Sequence, residues 1–194
     1  HGFLEGALVA GYFSDSATFG NITLTSQDGN DAFIMRLNQF MEVEWVVQSS
    51  GLKGAQAFGI ASDGSDGAFV TGSFENKAVP NDDVYMMHLN GSGGIEWVVQ
   101  AGGPLDEVAF SAASDGSGGA FLAGHFTGAS KFGNTTLTSY GSSLDAFVAR
   151  VSGNGDFLWA VRVGGYLTDE ARRVISDRSG GAYVAGTFQG TMHI

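Results

Sequence analysis

The chain of 194 residues has no cysteine, only two prolines, and only nine lysines and arginines against twenty aspartates and glutamates. Without cysteine it can form no disulfide framework, no cysteine zinc site and no thiol nucleophile. The formal net charge of -11 would repel a phosphate backbone, so we expect no nucleic-acid partner. No apolar run approaches the roughly 18 residues that cross a bilayer, so we expect no membrane span.

Glycine is the residue that the sequence has in excess. The chain carries 31 glycines, about twice the usual share, and they lack the three-residue period of collagen. Such a composition is typical of proteins with many short strands and turns. The hydrophobic fraction of 43% indicates a packed globular fold rather than a disordered chain.

An internal repeat dominates the sequence and indicates a repeat architecture. A segment of the type Gly-Ala-X-Val-Ala-Gly, in which X is aromatic or leucine, occurs four times, at residues 6–13, 67–74, 119–126 and 181–188. Every tryptophan of the chain follows the same repeat, and these are Trp45, Trp97 and Trp159. This recurrence indicates that the tryptophans have a packing role in each unit.

Each unit is predicted to contain four short strands, here named a, b, c and d. Large apolar residues alternate with small or polar ones, which is the period of a β-strand. Strand a is the type 107–113, strand b is the glycine-bounded segment, strand c covers 31–37, 83–89 and 145–151, and strand d covers 43–48, 95–100 and 156–163. The a–b and c–d connections are rich in Asp, Gly, Asn and Ser, which predicts hairpin turns. Residues 168–173 are predicted to lead into strand a rather than to start a helix.

A four-stranded meander repeated in this way is typical of a β-propeller blade. We therefore predict an all-β fold of four-stranded antiparallel blades in a single repeat region, residues 1–194. Its units are a partial blade 1–54, blades 55–105 and 106–167, and a partial blade 168–194. These contain thirteen predicted strands, about three blades plus one strand. Closed propellers need about four to eight blades, so we expect a ring that this chain does not close by itself.

The repeat resembles the bacterial-type propeller repeats known as SBBP. The matching residues are an aspartate-aromatic-valine strand at 145–148, a glycine-closed strand after an Asp-Arg-Ser-Gly turn at 177–186, and a Gly-Gly exit at 163–165. The resemblance extends over nearly the whole chain. It implies a propeller scaffold but no particular activity, because that family is defined by its scaffold.

Open blade edges expose unpaired N–H and C=O groups that invite pairing with another chain. Two explanations of the missing blades stay open. The residues are either a segment of a longer propeller, or neighbouring copies complete one another by strand addition. A head-to-tail contact of the second kind builds rings or filaments. We therefore expect self-association or flanking repeats as partners.

Three glycan acceptor sequons begin at Asn21, Asn90 and Asn134. Two of them lie at one repeat position, in the long b–c connections 19–26 and 132–139. Because Phe, Asn, Thr and Leu alternate there, these connections are predicted to form an extended ribbon. N-glycosylation and ordinary surface asparagines are both compatible with the sequons.

No catalytic, cofactor or metal residues are predicted. The Asp-rich turns 62–67 and 114–119 lack the carboxylate density of a calcium loop, so we interpret them as hairpin turns. No two histidines stand at a metal-ligand spacing; they are His1, His88, His125 and His193.

The predicted function is that of a non-enzymatic structural protein, extracellular or on the cell surface. It would build an assembly such as a filament through its blade edges and would carry N-glycans. The alternative is a propeller module that binds a carbohydrate or a protein through its face loops.

Overall fold

A computed structural model describes residues 6–49, 51–76, 78 and 80–194 of the chain. These residues form fifteen strands: β1 (Ala7–Phe19), β2 (Ile22–Leu37), β3 (Val43–Gln48), β4 (Gln56–Ser62), β5 (Ala68–Glu75), β6 (Asp82–Leu89), β7 (Ile95–Ala101), β8 (Glu107–Ser114), β9 (Ala120–Phe126), β10 (Ala129–Phe132), β11 (Thr135–Thr138), β12 (Asp145–Val151), β13 (Phe157–Val163), β14 (Glu170–Ser176) and β15 (Ala182–Thr187). Over this part of the chain there is no helix, and hence none long and apolar enough to cross a membrane.

The strands form four main sheets, which are numbered here in chain order. The first sheet is β1-β2-β3, the second is β4-β5-β6-β7, the third is β8-β9-β12-β13 and the fourth is β14-β15. All the pairings are antiparallel. The second and third sheets thus have the order a-b-c-d, which confirms the prediction of propeller-like blades in a ring that is not closed.

The repeat is conserved in register as well as in strand order. In the first three sheets strand c pairs with strand d so that each tryptophan stands opposite one basic residue: Arg36 opposite Trp45, His88 opposite Trp97 and Arg150 opposite Trp159. A slip of one residue would move every side chain of a strand to the other face. The shared register therefore gives each sheet the same two faces.

The b–c connections contain the strand structure that raises the count above thirteen. In the first sheet, β1 and β2 extend beyond the blade and pair down to Phe19 and Ile22. In the third unit the same ribbon is a separate pair, β10 with β11. Both ribbons turn through a glycine with positive φ, 61° at Gly20 and 58° at Gly133, followed by asparagine, as in a type II′ hairpin. The predicted ribbon is confirmed.

The core lies between the stacked sheets. Because strand residues point alternately to opposite faces, each inner sheet contributes one row of apolar side chains to each neighbour. Ile34, Val70, Tyr85 and Met87 fill the space between the first and second sheets, Phe69, Met86, Leu122 and Phe147 that between the second and third, and Phe121, Ala123 and Val174 that between the third and fourth. Each large side chain buried in this way stabilises the stack by about 1.5–3 kcal/mol.

Candidate functional sites on the blade faces and inner edge

At the contacts between the first and second sheets and between the second and third sheets, a tryptophan of strand d reaches the c–d turn of the next sheet. Trp45 of the first sheet donates its Nε1–H to the carbonyl oxygen of Gly91, at 3.0 Å. Trp97 of the second sheet donates to the carbonyl oxygen of Gly153, at 2.9 Å. The indole thus ties strand d of one sheet to the c–d turn of the next. We name this contact the tryptophan latch.

A glycine two residues further along each receiving turn makes room for the ring. A Cβ atom on Gly93 would lie 3.0 Å from the Trp45 ring, and one on Gly155 would lie 3.1 Å from the Trp97 ring. Both glycines have positive φ, 80° and 84°, a region that other residues adopt at a cost. The first sheet has Met41 at the same turn position, with φ of 64°. Its turn therefore lacks the space that a tryptophan would need.

The fourth sheet has a face that no other described residue covers. Phe69 and Phe121, on the corresponding face of the second and third sheets, are 0% exposed because the next sheet packs on them. Tyr183 stands at the same repeat position and is 67% exposed, and its neighbour Ile175 is also exposed. We name the surface formed by Ile175 and Tyr183 the terminal face.

The first sheet has the complementary surface on its opposite side. Phe33 and Met35 point away from the second sheet and are half-buried. Their repeat equivalents, Tyr85 and Met87, are fully buried against the preceding sheet. The two ends of the stack therefore present the two halves of the same kind of interface.

Strand a has a β-bulge at the same place in the second, third and fourth sheets. The extra residues are Phe58, Phe110 and Arg172, one in each strand. A bulge re-aims a side chain away from the alternating faces. The bulge residues consequently line up along the inner edge of the stack instead of joining the cores.

These bulge residues belong to a row of aromatic rings along the inner edge. The rings of Tyr12 and Phe58 lie 6.3 Å apart, and those of Phe58 and Phe110 lie 6.2 Å apart. Tyr12 is 50% and Phe58 is 41% exposed. The guanidinium of Arg172 lies 4.5 Å from the centre of the Phe110 ring. We name Tyr12, Phe58, Phe110 and Arg172 the inner row.

Charged side chains surround one end of the inner row. Oε2 of Glu170 forms an ion pair with the guanidinium of Arg172 at 2.6 Å, and Oε1 lies 3.4 Å from Nδ1 of His125. The His125 ring in turn packs edge-on against Phe110, with ring centres 5.2 Å apart. Burial lowers the pKa of His125, so the imidazole is favoured in its neutral form. This end of the inner row can both donate and accept hydrogen bonds.

Buried carboxyl groups lie where strand c of one blade meets strand a of the next. Glu107 is fully buried, and it accepts hydrogen bonds from the Ser130 hydroxyl and from the Gly103 N–H. Burial, together with the neighbouring Asp83, raises the pKa of Glu107 to about 8. Burial likewise raises the pKa of Asp145, which lies near Asp169 at the following contact. A protonated carboxyl at such a place can hydrogen-bond to its neighbour instead of repelling it.

The carboxylates of the Asp-rich turns accept backbone hydrogen bonds that stabilise the turns. Asp63 and Asp115 each accept two N–H groups, from the residues two and four positions later. These hydrogen bonds lower the pKa of each carboxyl against the effect of burial. His88 and Arg150 then bind the second oxygens. Within the described ranges no group of three or more His, Asp or Glu side chains could hold a metal ion.

Arg36, the basic residue of the first unit, has different partners from His88 and Arg150. Arg36 pairs with Glu44 at 3.0 Å and reaches across to Asp66 in the next a–b turn. A groove of about 920 Å³ lies beside this contact, lined also by Phe40 and Ile60.

His1 lies outside the described residues. His193, near the end of the chain, packs on Tyr140.

The three sequons fall in two different environments. Asn21 and Asn134 are exposed at the tips of the two ribbons. Asn90 instead begins a c–d turn, where its side-chain oxygen accepts the N–H groups of Ser92 and Gly94 at 3.1 and 3.0 Å. The first two sites are therefore accessible to a glycosylating enzyme, whereas the Asn90 side chain already organises its turn.

No protein-family model matches the chain, and a search of curated proteins finds no match either. The resemblance to SBBP repeats stays a prediction.

Proposed function

We propose that the protein is a non-enzymatic structural module that associates head to tail through its blade faces. The observation that carries this proposal is the terminal face: Tyr183 is 67% exposed where its equivalents Phe69 and Phe121 are fully buried. The fitting surface lies on the first sheet, around Phe33 and Met35. Because the two surfaces are different, the contact is heterologous and repeats from copy to copy.

The first c–d turn supports this arrangement. Among the described residues the fourth sheet consists of strands a and b only, and neither strand contains a tryptophan. A first sheet stacked on the terminal face would need no glycine to receive one. Met41 at the glycine position of its turn is compatible with a neighbouring sheet that brings no strand-d tryptophan.

Sedimentation velocity over a range of protein concentrations tests the proposal. We expect species larger than the monomer to grow with concentration, and Tyr183→Lys to abolish them. Tyr166→Lys is the matched control, because Tyr166 is 76% exposed but lies in the connection between β13 and β14. A chain that stays monomeric at every concentration, or a Tyr183→Lys variant that associates normally, would contradict self-association. Electron microscopy of the associated material would then distinguish rings from filaments.

We further propose that the protein acts outside the cell and carries N-glycans at Asn21 and Asn134. Support comes from the exposure of both asparagines at the ribbon tips. Expression in a secreting eukaryotic cell, followed by intact-mass measurement, tests this. We expect added mass that disappears in the Asn21→Gln, Asn134→Gln double variant, and a mass equal to the bare polypeptide would contradict it.

A second candidate function, carbohydrate binding, is favoured by the inner row. Exposed aromatic rings beside an arginine and a carboxylate offer stacking surfaces together with hydrogen-bonding groups. Titration with neutral and acidic oligosaccharides, followed by calorimetry, tests this candidate. We expect Phe58→Ala to remove any binding and Phe40→Ala, which changes an exposed ring in the first c–d turn, to leave it intact. Absence of binding to every oligosaccharide would eliminate the candidate.

A further inference from the structure

Among the residues that the structure describes, the last tryptophan of the repeat has no latch partner. Trp45 and Trp97 each donate their indole N–H to the c–d turn of the following sheet. Trp159 packs against Phe121, with ring centres 6.0 Å apart, but within the described part of the chain its indole N–H donates to no acceptor. The third sheet thus provides the tryptophan of a latch, and no described turn provides the acceptor.

The strand next to this position, β15, has one edge that no described strand pairs with. β5 and β9 are each hydrogen-bonded on both sides, to strands a and c of their own sheet. β15 is paired, among the described residues, with β14 alone. Its outer edge therefore offers the backbone groups to which a strand c would pair. Near this edge Val161 of the third sheet is exposed, although its equivalent Val99 packs against the following sheet.

One object completes both features at once. A β-hairpin of the c–d type, paired to β15 through its first strand, would place its turn under the Trp159 ring and its apolar side over Val161. We propose that the edge of β15 and the Trp159 indole together form a docking site for such a hairpin, with glycine at the turn position that Gly93 and Gly155 occupy. This proposal rests on the blade-stacking function and specifies the chemistry of one partner.

The glycine requirement excludes the hairpin of a second copy's first sheet. That hairpin, β2 with β3, has Met41 where the ring must approach. A Cβ atom at this place would lie 3.0 Å from the Trp45 ring in the first latch and 3.1 Å from the Trp97 ring in the second, so a methionine side chain cannot fit without displacing the indole. The continuity with two existing latches thus selects a hairpin with a glycine turn.

The experiment extends the full chain beyond Ile194 by a copy of residues 133–165. In the copy only, Trp159→Phe keeps the number of indole signals at three. A second version adds Gly155→Met in the copy. Hydrogen exchange of the β15 amides and NMR of the Trp159 indole, assigned with a Trp159→Phe variant of the original chain, are then measured in the unextended chain and in both extended versions.

We expect the glycine version to slow exchange of the β15 amides about tenfold or more, because paired amides exchange only on local opening. Its Trp159 indole N–H should become as protected as those of Trp45 and Trp97. The methionine version should lose the indole protection. Unchanged β15 exchange in the glycine version, or equal indole protection in both versions, would overturn the proposal.

The unextended chain provides the test against self-docking. Protection of its Trp159 indole at high protein concentration would show that a second copy occupies the site, and would overturn the proposal. These outcomes are separate from a failure of head-to-tail association, because the added hairpin leaves the terminal face around Tyr183 uncovered.

Discussion

The tryptophan latch makes a quantitative prediction for Gly155→Ala. Gly155 has φ of +84°, where a non-glycine residue costs about 1–2 kcal/mol. Its new Cβ atom would also lie 3.1 Å from the Trp97 ring. Forcing a methyl group into a packed contact typically costs about 1–3 kcal/mol more. We therefore expect the free energy of unfolding to fall by about 2–5 kcal/mol.

Gly116→Ala is the matched control for the backbone contribution. Gly116 has a similar φ of +75°, but its added Cβ atom would meet nothing within 4 Å. Its variant should lose only the conformational part, about 1–2 kcal/mol. Urea unfolding of both variants, with the slope m unchanged, measures the difference. Equal losses in the two variants would refute the idea that the glycine is needed to seat the tryptophan.

Three further predictions concern the carboxyl pair, the c–d turn and the charge of the chain. Burial raises the pKa of Glu107 from 4.5 to about 8, so the folded state holds this proton more tightly than the unfolded chain. The free energy of unfolding should then fall as pH rises from about 4.5 to 8, by at most about 1.4 kcal/mol per pH unit. Urea unfolding of the Glu107→Gln variant should not show this fall. Parallel pH profiles of the variant and the unchanged protein would contradict the raised pKa of Glu107. Asn90→Ala should lower the free energy of unfolding by about 1–3 kcal/mol, because two turn N–H groups lose their acceptor. Asn90→Ser should lower it less, since serine is the residue found at the equivalent position 152. Equal losses of both variants in urea unfolding would contradict the role of the Asn90 side chain in its turn. Because copies with a net charge of -11 repel one another, raising the salt concentration should strengthen association in sedimentation experiments, and weakening by salt would indicate an ionic rather than an apolar contact.

The blade architecture could be predicted because every strand carries its own local pattern. Strand c of the third unit, for example, alternates Phe147 and Ala149 with their neighbours and begins at an aspartate, and β12 spans Asp145–Val151 as predicted. The ribbon was predictable for the same reason. The number of strands exceeds the predicted thirteen because, in the third unit, a break between β9 and β10 makes the ribbon two separate strands.

The inner row could not be predicted from periodicity. Phe58, Phe110 and Arg172 share a repeat position but not a residue type, and their side chains leave the alternating pattern only because the backbone bulges there. The pairing of Asp83 with Glu107 was equally hidden, since the two residues come from different units. Such contacts depend on how the sheets stack, which no single strand records.

The tryptophan latch has a signature in the sequence. Gly93 and Gly155 recur together with the tryptophans, and the first unit replaces this glycine by Met41. The correlation between a tryptophan in one unit and a glycine in the next indicates a contact between units. The glycine is hard to distinguish by sequence alone, because each c–d turn contains other glycines or turn residues as well.

The most direct test of the account measures whether the terminal face becomes covered. Because the chain has no cysteine, Tyr183→Cys and Tyr166→Cys each introduce a single thiol whose labelling rate can be followed. We predict that labelling at position 183 slows as the protein concentration rises, while labelling at position 166 does not change. Equal rates at both positions over the whole concentration range would contradict blade-face association.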